Sequence, residues 1–466
     1  MTATERQEEE PNTGSAGAAD RGPAGGPWPS RDALEDPRAL GSPVYRAIIR
    51  WGSVLVRSHY RVTLRGEPFP REAPVLLVQN HTNGLADAHF PMVATRRPIR
   101  ILVKYKLMRT PLIGWMLRRM DAVPMYRKKD GVDTRKNADS FESIGRALVD
   151  RSVIVLFPEG ESLNAIGIRP MKSGVARMVI SAETSPEGPI GVQIVPLGVT
   201  YEARDRYRSE ASGVLGAPID ARPIVESHGE DGRAAMVAIM EEIRASLESL
   251  TLHAETDEEY AATIALERIL MADEAPLGIR RARARDLLRA DVGPETDRRR
   301  ELVRELGARM ERAGLRGDDV VGPTPGPWAV ALPVLWAGPA GALGLVTWGL
   351  PMLLAERVSR LRRSPDKLVT LRILFCFTGL VVWIPILLAL GALLGGGQGV
   401  GVAALVVALG LATFTRSVDA LRGALRAARL RALHRSTRAA DVVEAVRAIR
   451  RSFPGKTGTS PMDARP

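Results

Sequence analysis

Apolar and polar positions divide the 466 residues into regions of different period. Between residues 62 and 201, short apolar runs of strand length alternate with stretches whose apolar positions recur every three or four residues. The runs 75–78, 101–103, 122–125, 153–157 and 190–197 predict strands, and 111–119, 138–149 and 175–182 predict helices. That alternation predicts an α/β layer. From 231 to 314 the period is helical throughout and charge is dense, which predicts three or four amphipathic helices. Residues 43–61 set Val44, Ile48, Ile49, Val54 and Leu55 against Arg46, Arg50 and Arg57, with Trp51 and Tyr60 added. This is a surface helix, lying either on a membrane or on the protein's own core.

The pattern changes again after Pro323. Residues 328–355 are apolar but interrupted by Pro333, Pro339, Gly341 and Pro351; 373–394 are long enough to cross a hydrocarbon layer of about 30 Å; 400–415 form a shorter span. The 357–372 loop carries six cations, 395–399 carries none, and the tail beyond Arg416 is basic. Positive charge stays inside, so the loop, the tail and the catalytic region are expected in the cytoplasm and the glycine loop outside. The first apolar stretch must then begin and end inside. Its Gly-Pro-Ala-Gly centre predicts a re-entrant or in-plane hairpin. The expected organisation is a disordered segment 1–40, a catalytic domain 41–225, a charged helical region 226–326, a membrane region 327–416 and a basic tail 417–466.

Composition narrows the chemistry. A net charge of +12 and a pI near 10.2 suit anionic partners. Aromatics make up only 5%, too few to interleave with cations along a nucleic acid, so no nucleic-acid partner is expected. The one cysteine, Cys376, lies in an apolar run, which leaves no disulfide framework, no thiolate nucleophile and no cysteine-ligated metal. His59, His89, His228, His253 and His434 show no metal-ligand spacing, and no metal is expected. No Gly-x-Ser-x-Gly elbow occurs, and Gly455-Lys456-Thr457 lacks the upstream glycine of a phosphate loop.

Four stretches at predicted strand ends carry the candidate chemistry. Asn80-His81-Thr82-Asn83-Gly84-Leu85-Ala86-Asp87 follows the first strand. A carboxylate one turn beyond a histidine can fix its tautomer and leave the other nitrogen to take a proton from a hydroxyl. Residues 114–127 end on Arg127, a guanidinium suited to bidentate phosphate contact. Phe157-Pro158-Glu159-Gly160-Glu161 brings a carboxylate and a glycine that permits close backbone approach. Downstream, Arg169 and Lys172 precede a predicted helix start that favours an anion. The fourth stretch, Ile194 to Tyr201, reads as core alone.

Together these stretches resemble the four blocks of the glycerolipid acyltransferase family over residues 62–201, with Asn80-His81, Phe157-Pro158-Glu159-Gly160 and Val195-Pro196 the most specific parts. Lys104 matches a lysine common before the second block. The resemblance implies an acyltransferase-like mixed sheet with flanking helices, followed by a helical region and C-terminal membrane helices. It implies His81 as general base, Asp87 as its orienter, and Arg127, Glu159, Gly160, Lys172, Arg169, Lys104 and Asn80 around the substrate. The acyl donor would be acyl-CoA or acyl carrier protein, with membrane lipids as partners and no cofactor.

Two departures stand out. Five residues separate His81 from Asp87 where the family usually has four, and Asn83-Gly84 would absorb the extra one in a left-handed turn. Glu161 occupies a position that is usually small or hydroxylated. The longer gap and the extension after Asp231, including Leu252 to Tyr260, resemble the glycerol-3-phosphate/dihydroxyacetone-phosphate branch, with 1-acylglycerol 3-phosphate as the rival acceptor. A non-catalytic lipid-binding membrane protein is the alternative of another class.

Overall fold

The computed structural model describes residues 42–453 apart from 128–130, 132, 134, 136, 161–166, 186–187, 272–274, 362–364 and 438. The expectations for residues 1–40, for Glu161 and for residues 454–466 with Gly455-Lys456-Thr457 lie outside the described residues.

An eight-stranded sheet organises the first half. In chain order its strands are β1 (Arg61–Gly66), β2 (Val75–Gln79), β3 (Ile99–Lys104), β4 (Val123–Met125), β5 (Val153–Leu156), β6 (Gln193–Tyr201), β7 (Glu210–Leu215) and β8 (Ile219–Asp220). They lie side by side as β1-β7-β6-β2-β5-β3-β4, with β8 on β6. Strands β2 to β6 run parallel to their neighbours, whereas β7 and β8 are antiparallel to β6. The predicted strands and the helices Pro111–Arg119, Asn137–Val149 and Gly174–Glu183 are all present. The sheet is the expected mixed one with helices on its faces. β1 and β7 had no expectation.

The central strands β2, β5 and β6 are buried on both faces, as a parallel sheet covered by helices requires. One face packs on the helices around Ile144, Val179 and Ile243, and the other on Tyr45, Val56, Tyr60 and Phe90. The Pro43–His59 helix therefore lies on the protein's own core through Tyr45 and Val56, while Trp51 and Val54 stay exposed.

The charged region folds into four helices, Gly232–Leu250, Asp257–Leu270, Leu277–Ala290 and Thr296–Ala313. Not all of its charge faces water. Arg280 and Arg281 are buried, Arg280 pairs with Glu267 (2.7 Å) and Glu210 (2.9 Å), and Arg281 donates to the carbonyl of Tyr201 (2.9 Å). This region is thereby clamped to the ends of β6 and β7.

Two long apolar arms meet at Gly395 and Gly396, where φ/ψ leave the helical range within Pro365–His434. The stretch before them is one continuous helix, Trp328–Gly344, a π-turn Leu345–Gly349 and Leu350–Leu361. The expected hairpin does not turn at Gly338–Gly341, where the helix continues. The helix runs through Pro333 and Pro339, and beyond them it packs closely: a Cβ on Gly344 would lie 2.3 Å from Phe414. Its midpoint sits beside Trp383, which donates to the Val346 carbonyl (2.8 Å). One end is tied to Arg372 through Glu356 (2.6 Å), the other to Arg431 through the Pro325 carbonyl (2.6 Å). Both ends thus lie away from the Gly395–Gly396 tip.

Trp328–Val358 and Leu371–His434 are long and apolar enough to cross a membrane, and only 17% and 12% of their most apolar windows are buried. Such apolar surface needs a non-aqueous neighbour.

The tip of the arms rests on a backbone contact. A Cβ on Gly399 would stand 1.9 Å from the Gly391 carbonyl, whereas one on Gly397 meets nothing within 4 Å. Gly399→Leu should lower stability by about 1–3 kcal/mol, the overpacking range, and Gly397→Ala should stay within about 0.5 kcal/mol. Thermal unfolding in detergent separates the two, and equal melting temperatures would refute the close contact.

Candidate active site

Parallel strands β2 to β6 end at one edge, where an α/β sheet presents its ligands. His81 follows β2, Lys104 ends β3, Arg127 lies two residues beyond β4, Glu159 follows β5, and Tyr201 ends β6.

The centre is a buried carboxylate. Asp87, wholly shielded from solvent, meets His81 Nδ1 at 2.9 Å through Oδ2. A carboxylate only accepts, so Nδ1 carries the proton and Nε2 keeps its lone pair. The backbone N–H of Asn83 also donates to Oδ2 (2.6 Å), and the Tyr201 hydroxyl donates to Oδ1 (2.7 Å). Gln79 donates to the Asp87 carbonyl (3.0 Å). The long gap between His81 and Asp87 is taken up as expected, at Gly84, whose φ is +49°. Asn83 itself stays at φ −142°, so one residue of the pair makes the turn.

Phe157 stacks on the His81 ring with centroids 4.1 Å apart. Glu159 accepts from the backbone N–H of His81 (3.1 Å), which ties the third stretch to the first. Burial pushes its carboxyl from 4.5 up to about 7, against the pull of that hydrogen bond and of the Arg169 charge. Gly160 has φ +71°, and a Cβ there would meet Lys172 Nζ at 2.5 Å, so the lysine stem crosses directly over it. Lys172 also donates its backbone N–H to the Pro158 carbonyl (2.9 Å).

His81, Asp87, Glu159, Gly160, Lys172 and Arg169 are therefore brought together. Lys104, ending β3, and Arg127, just beyond β4, share their edge of the sheet. Asn80 is different. Its carboxamide donates to the Val199 carbonyl (2.9 Å) and accepts from the Val199 N–H (2.7 Å), so it joins β2 to β6 and is turned into the sheet.

Sequence reasoning missed Tyr201, taken as core, and Tyr60, whose hydroxyl accepts from the Asn83 side chain (2.9 Å). The one available signal was a tyrosine closing an otherwise apolar strand, since a buried phenol needs a partner. The arrangement can hold an imidazole in one tautomer at a partly open edge, with two cations nearby.

Known proteins are similar to this chain over the same region. Residues 61–200 match the family model described as Acyltransferase. A Glycerol-3-phosphate O-acyltransferase 2 from Saccharomyces cerevisiae is 31% identical over 120 residues, 25% of this chain and 16% of its own. A Lyso-ornithine lipid O-acyltransferase from Rhizobium meliloti is 27% identical over 175 residues, 37% of this chain and 53% of its own. A crystal structure of a 1-acyl-sn-glycerophosphate acyltransferase from Thermotoga maritima is similar with a TM-score of 0.34 at 14% identity, over 46% of this chain and 82% of that one. The chain thus spans about a sixth of the yeast relative's length. Residues 61–200 are an acyltransferase domain.

The raised carboxyl of Glu159 has a sign that can be checked. The folded state keeps that proton to about pH 7 and the unfolded chain releases it near 4.5, so this group's stabilisation is complete below 4.5 and is lost as pH rises through 7. Glu159→Gln removes the slope, and wild type should lose ground to the variant across that window in denaturant midpoints. Parallel profiles would mean that Glu159 is ionised in the fold.

Proposed function

We propose that this protein is a membrane-embedded O-acyltransferase that moves a fatty acyl group from acyl-CoA or acyl carrier protein to a hydroxyl of glycerol 3-phosphate or dihydroxyacetone phosphate. The observation that carries the reading is the His81–Asp87 contact of 2.9 Å, with the carboxylate fully buried and the imidazole partly open. In this reading His81 Nε2 takes the proton of the acceptor hydroxyl, and the oxygen attacks the thioester carbonyl. The tetrahedral intermediate collapses to an ester and a thiolate, which recovers the proton from the imidazolium. Asp87 stabilises the transient cation. Lys172, Arg169 and Arg127 are the cations for the acceptor's phosphate. No residue is acylated on this route.

The yeast glycerol-3-phosphate relative and the gap absorbed at Gly84 support a small acceptor. The lyso-ornithine lipid relative, over 53% of whose length the match runs, supports a second reading in which the acceptor already carries a chain. Side-by-side initial rates decide. Glycerol 3-phosphate or dihydroxyacetone phosphate should be acylated faster than 1-acylglycerol 3-phosphate, and His81→Ala should lose about 10²–10⁴-fold with every acceptor. Unchanged turnover in His81→Ala would end the mechanism, whereas faster acylation of 1-acylglycerol 3-phosphate would replace only the acceptor.

The catalytic region and the basic ends of the arms belong on the cytoplasmic side in this reading, because Arg357 and Arg372 flank one arm and Arg416 to Arg435 close the other. A reporter inserted at Gly397 should be accessible from outside, and one at the C-terminus only after permeabilisation. The reverse pattern would overturn the orientation.

A further inference from the structure

The connector that follows the Gly232–Leu250 helix brings an imidazole of the charged helical region to the segment that carries Arg169 and Lys172. Leu252 and Ala254 are buried on either side of His253, so the ring is presented from an anchored stretch of chain. The backbone N–H of Ile168 donates to His253 Nδ1 (3.0 Å). Nδ1 therefore carries the lone pair, and the neutral ring keeps its proton on Nε2. That nitrogen faces the Glu248 carboxylate at 3.6 Å, and Arg244 meets the same carboxylate oxygen at 2.9 Å. Burial first of all, with the Arg244, Arg289 and Arg285 charges, holds the ring below the usual histidine range against the pull of Glu248. The neutral form is the one that can accept from Ile168.

The approach leaves no slack. A Cβ on Gly167 would stand 2.4 Å from His253 Nδ1, so a larger residue there must displace the ring or the chain. Ile168 is itself buried, in the same core as Val175 and Val179. Four residues on, Lys172 donates its backbone N–H to the Pro158 carbonyl (2.9 Å), and its stem crosses Gly160. Residues 168–172 are thus tied at one end to the helical region and at the other to the turn that carries Glu159. Arg169 follows the first tie directly and stands near enough to Glu159 for its charge to act on that carboxyl.

We propose that His253 is a positioning residue for the acceptor's phosphate. By accepting the Ile168 N–H it sets where Arg169 and Lys172 stand, so a side chain of the helical region determines acceptor affinity without touching the substrate. This role rests on the acyl-transfer reading, in which those two cations hold the phosphate. A phosphate remote from the reacting carbonyl is held alike in the ground and transition states, so a weaker hold raises KM with little change in kcat.

The test is steady-state kinetics of the full chain in detergent. Glycerol 3-phosphate and 1-acylglycerol 3-phosphate serve as acceptors, and palmitoyl-CoA and palmitoyl acyl carrier protein as donors. His253→Leu should raise the acceptor KM about fivefold, the value of one ordinary hydrogen bond, while the donor KM and kcat stay within about twofold. His253→Asn returns an accepting oxygen to the δ position and should recover most of that loss. Gly167→Ala pushes a methyl group against the ring and should raise the acceptor KM by itself. In a His253→Ala background, where the space is open, the same change should add nothing. An acceptor KM that ignores His253→Leu, or acceptor and donor KM rising equally with no recovery in His253→Asn, would refute the positioning role and leave acyl transfer standing. If the His253 variants misfold, Gly167→Ala alone decides by whether it shifts the acceptor KM and spares the donor's. A wild-type protein that acylates neither phosphorylated acceptor would overturn the acyl-transfer reading, and this role with it.

Discussion

A carboxylate with no access to water governs the candidate site. Asp87 must be satisfied from inside the protein, and an ion buried without partners would neutralise itself or unfold its surroundings. Three donors meet it: the His81 ring, the Asn83 N–H and the Tyr201 hydroxyl. They come from three places, the end of β2, the turn after it and the end of β6. Bringing them to one point fixes the register of β2 against β6, which the Asn80–Val199 pair of bonds also enforces. The turn is the cost of this geometry. Gly84 adopts a positive φ so that a loop one residue longer than usual still lays Asp87 under the imidazole.

The same demand extends into the helical region. Tyr201 donates its hydroxyl to Asp87, and its carbonyl accepts from the buried Arg281. Beside it Arg280 bridges Glu210 of β7 to Glu267 of the preceding helix. Removing one partner of such a buried pair typically costs about 3–5 kcal/mol because the other ion is stranded. On the far side of the site, His253 accepts the Ile168 N–H (3.0 Å), and Gly167 lies so close that a Cβ would sit 2.4 Å from the ring. Residues 232–313 thus grip the catalytic edge from both sides, by way of β6 and by way of the segment leading to Arg169.

Strand and helix periods were legible because the parallel core is apolar and buried on both faces, and the predicted boundaries fall within a few residues. β1 and β7 were not. Arg-Val-Thr-Leu-Arg-Gly is half exposed, and Glu-Ala-Ser-Gly-Val-Leu mixes small polar residues into a buried strand, so neither shows the apolar run that announces β2. Arg280 and Arg281 were illegible for a related reason: a helix dense in arginine reads as solvated, and only tertiary pairing buries it. In the site, His81, Asp87 and Glu159 could be named from short-range pattern. Tyr201, more than a hundred residues from Asp87, could not, since a strand-ending tyrosine says nothing of which carboxylate it meets. Proline and glycine in 328–355 suggested a turn, yet packing against two arms overrides local propensity and keeps the helix continuous.

The segment after β6 joins the two halves of the molecule. It leaves the catalytic edge at Tyr201, gives up the Asp205 carbonyl to Arg372, and pairs Arg208 with Asp419 on the other arm. Arg204 in the same segment donates to the Thr82 carbonyl, one residue from His81 (2.9 Å). The edge that carries the histidine is therefore fixed beside the basic ends of the apolar arms, where anionic headgroups would gather. A site built for water-soluble reactants alone has no need of that neighbour. The proposed reaction, joining a phosphate-bearing polar molecule to a long acyl chain, would need it, because one reactant is held by cations in water while the chain must remain in an apolar phase. The segment after β6 ties the sheet edge to the foot of the arms, the arrangement that such a reaction would use.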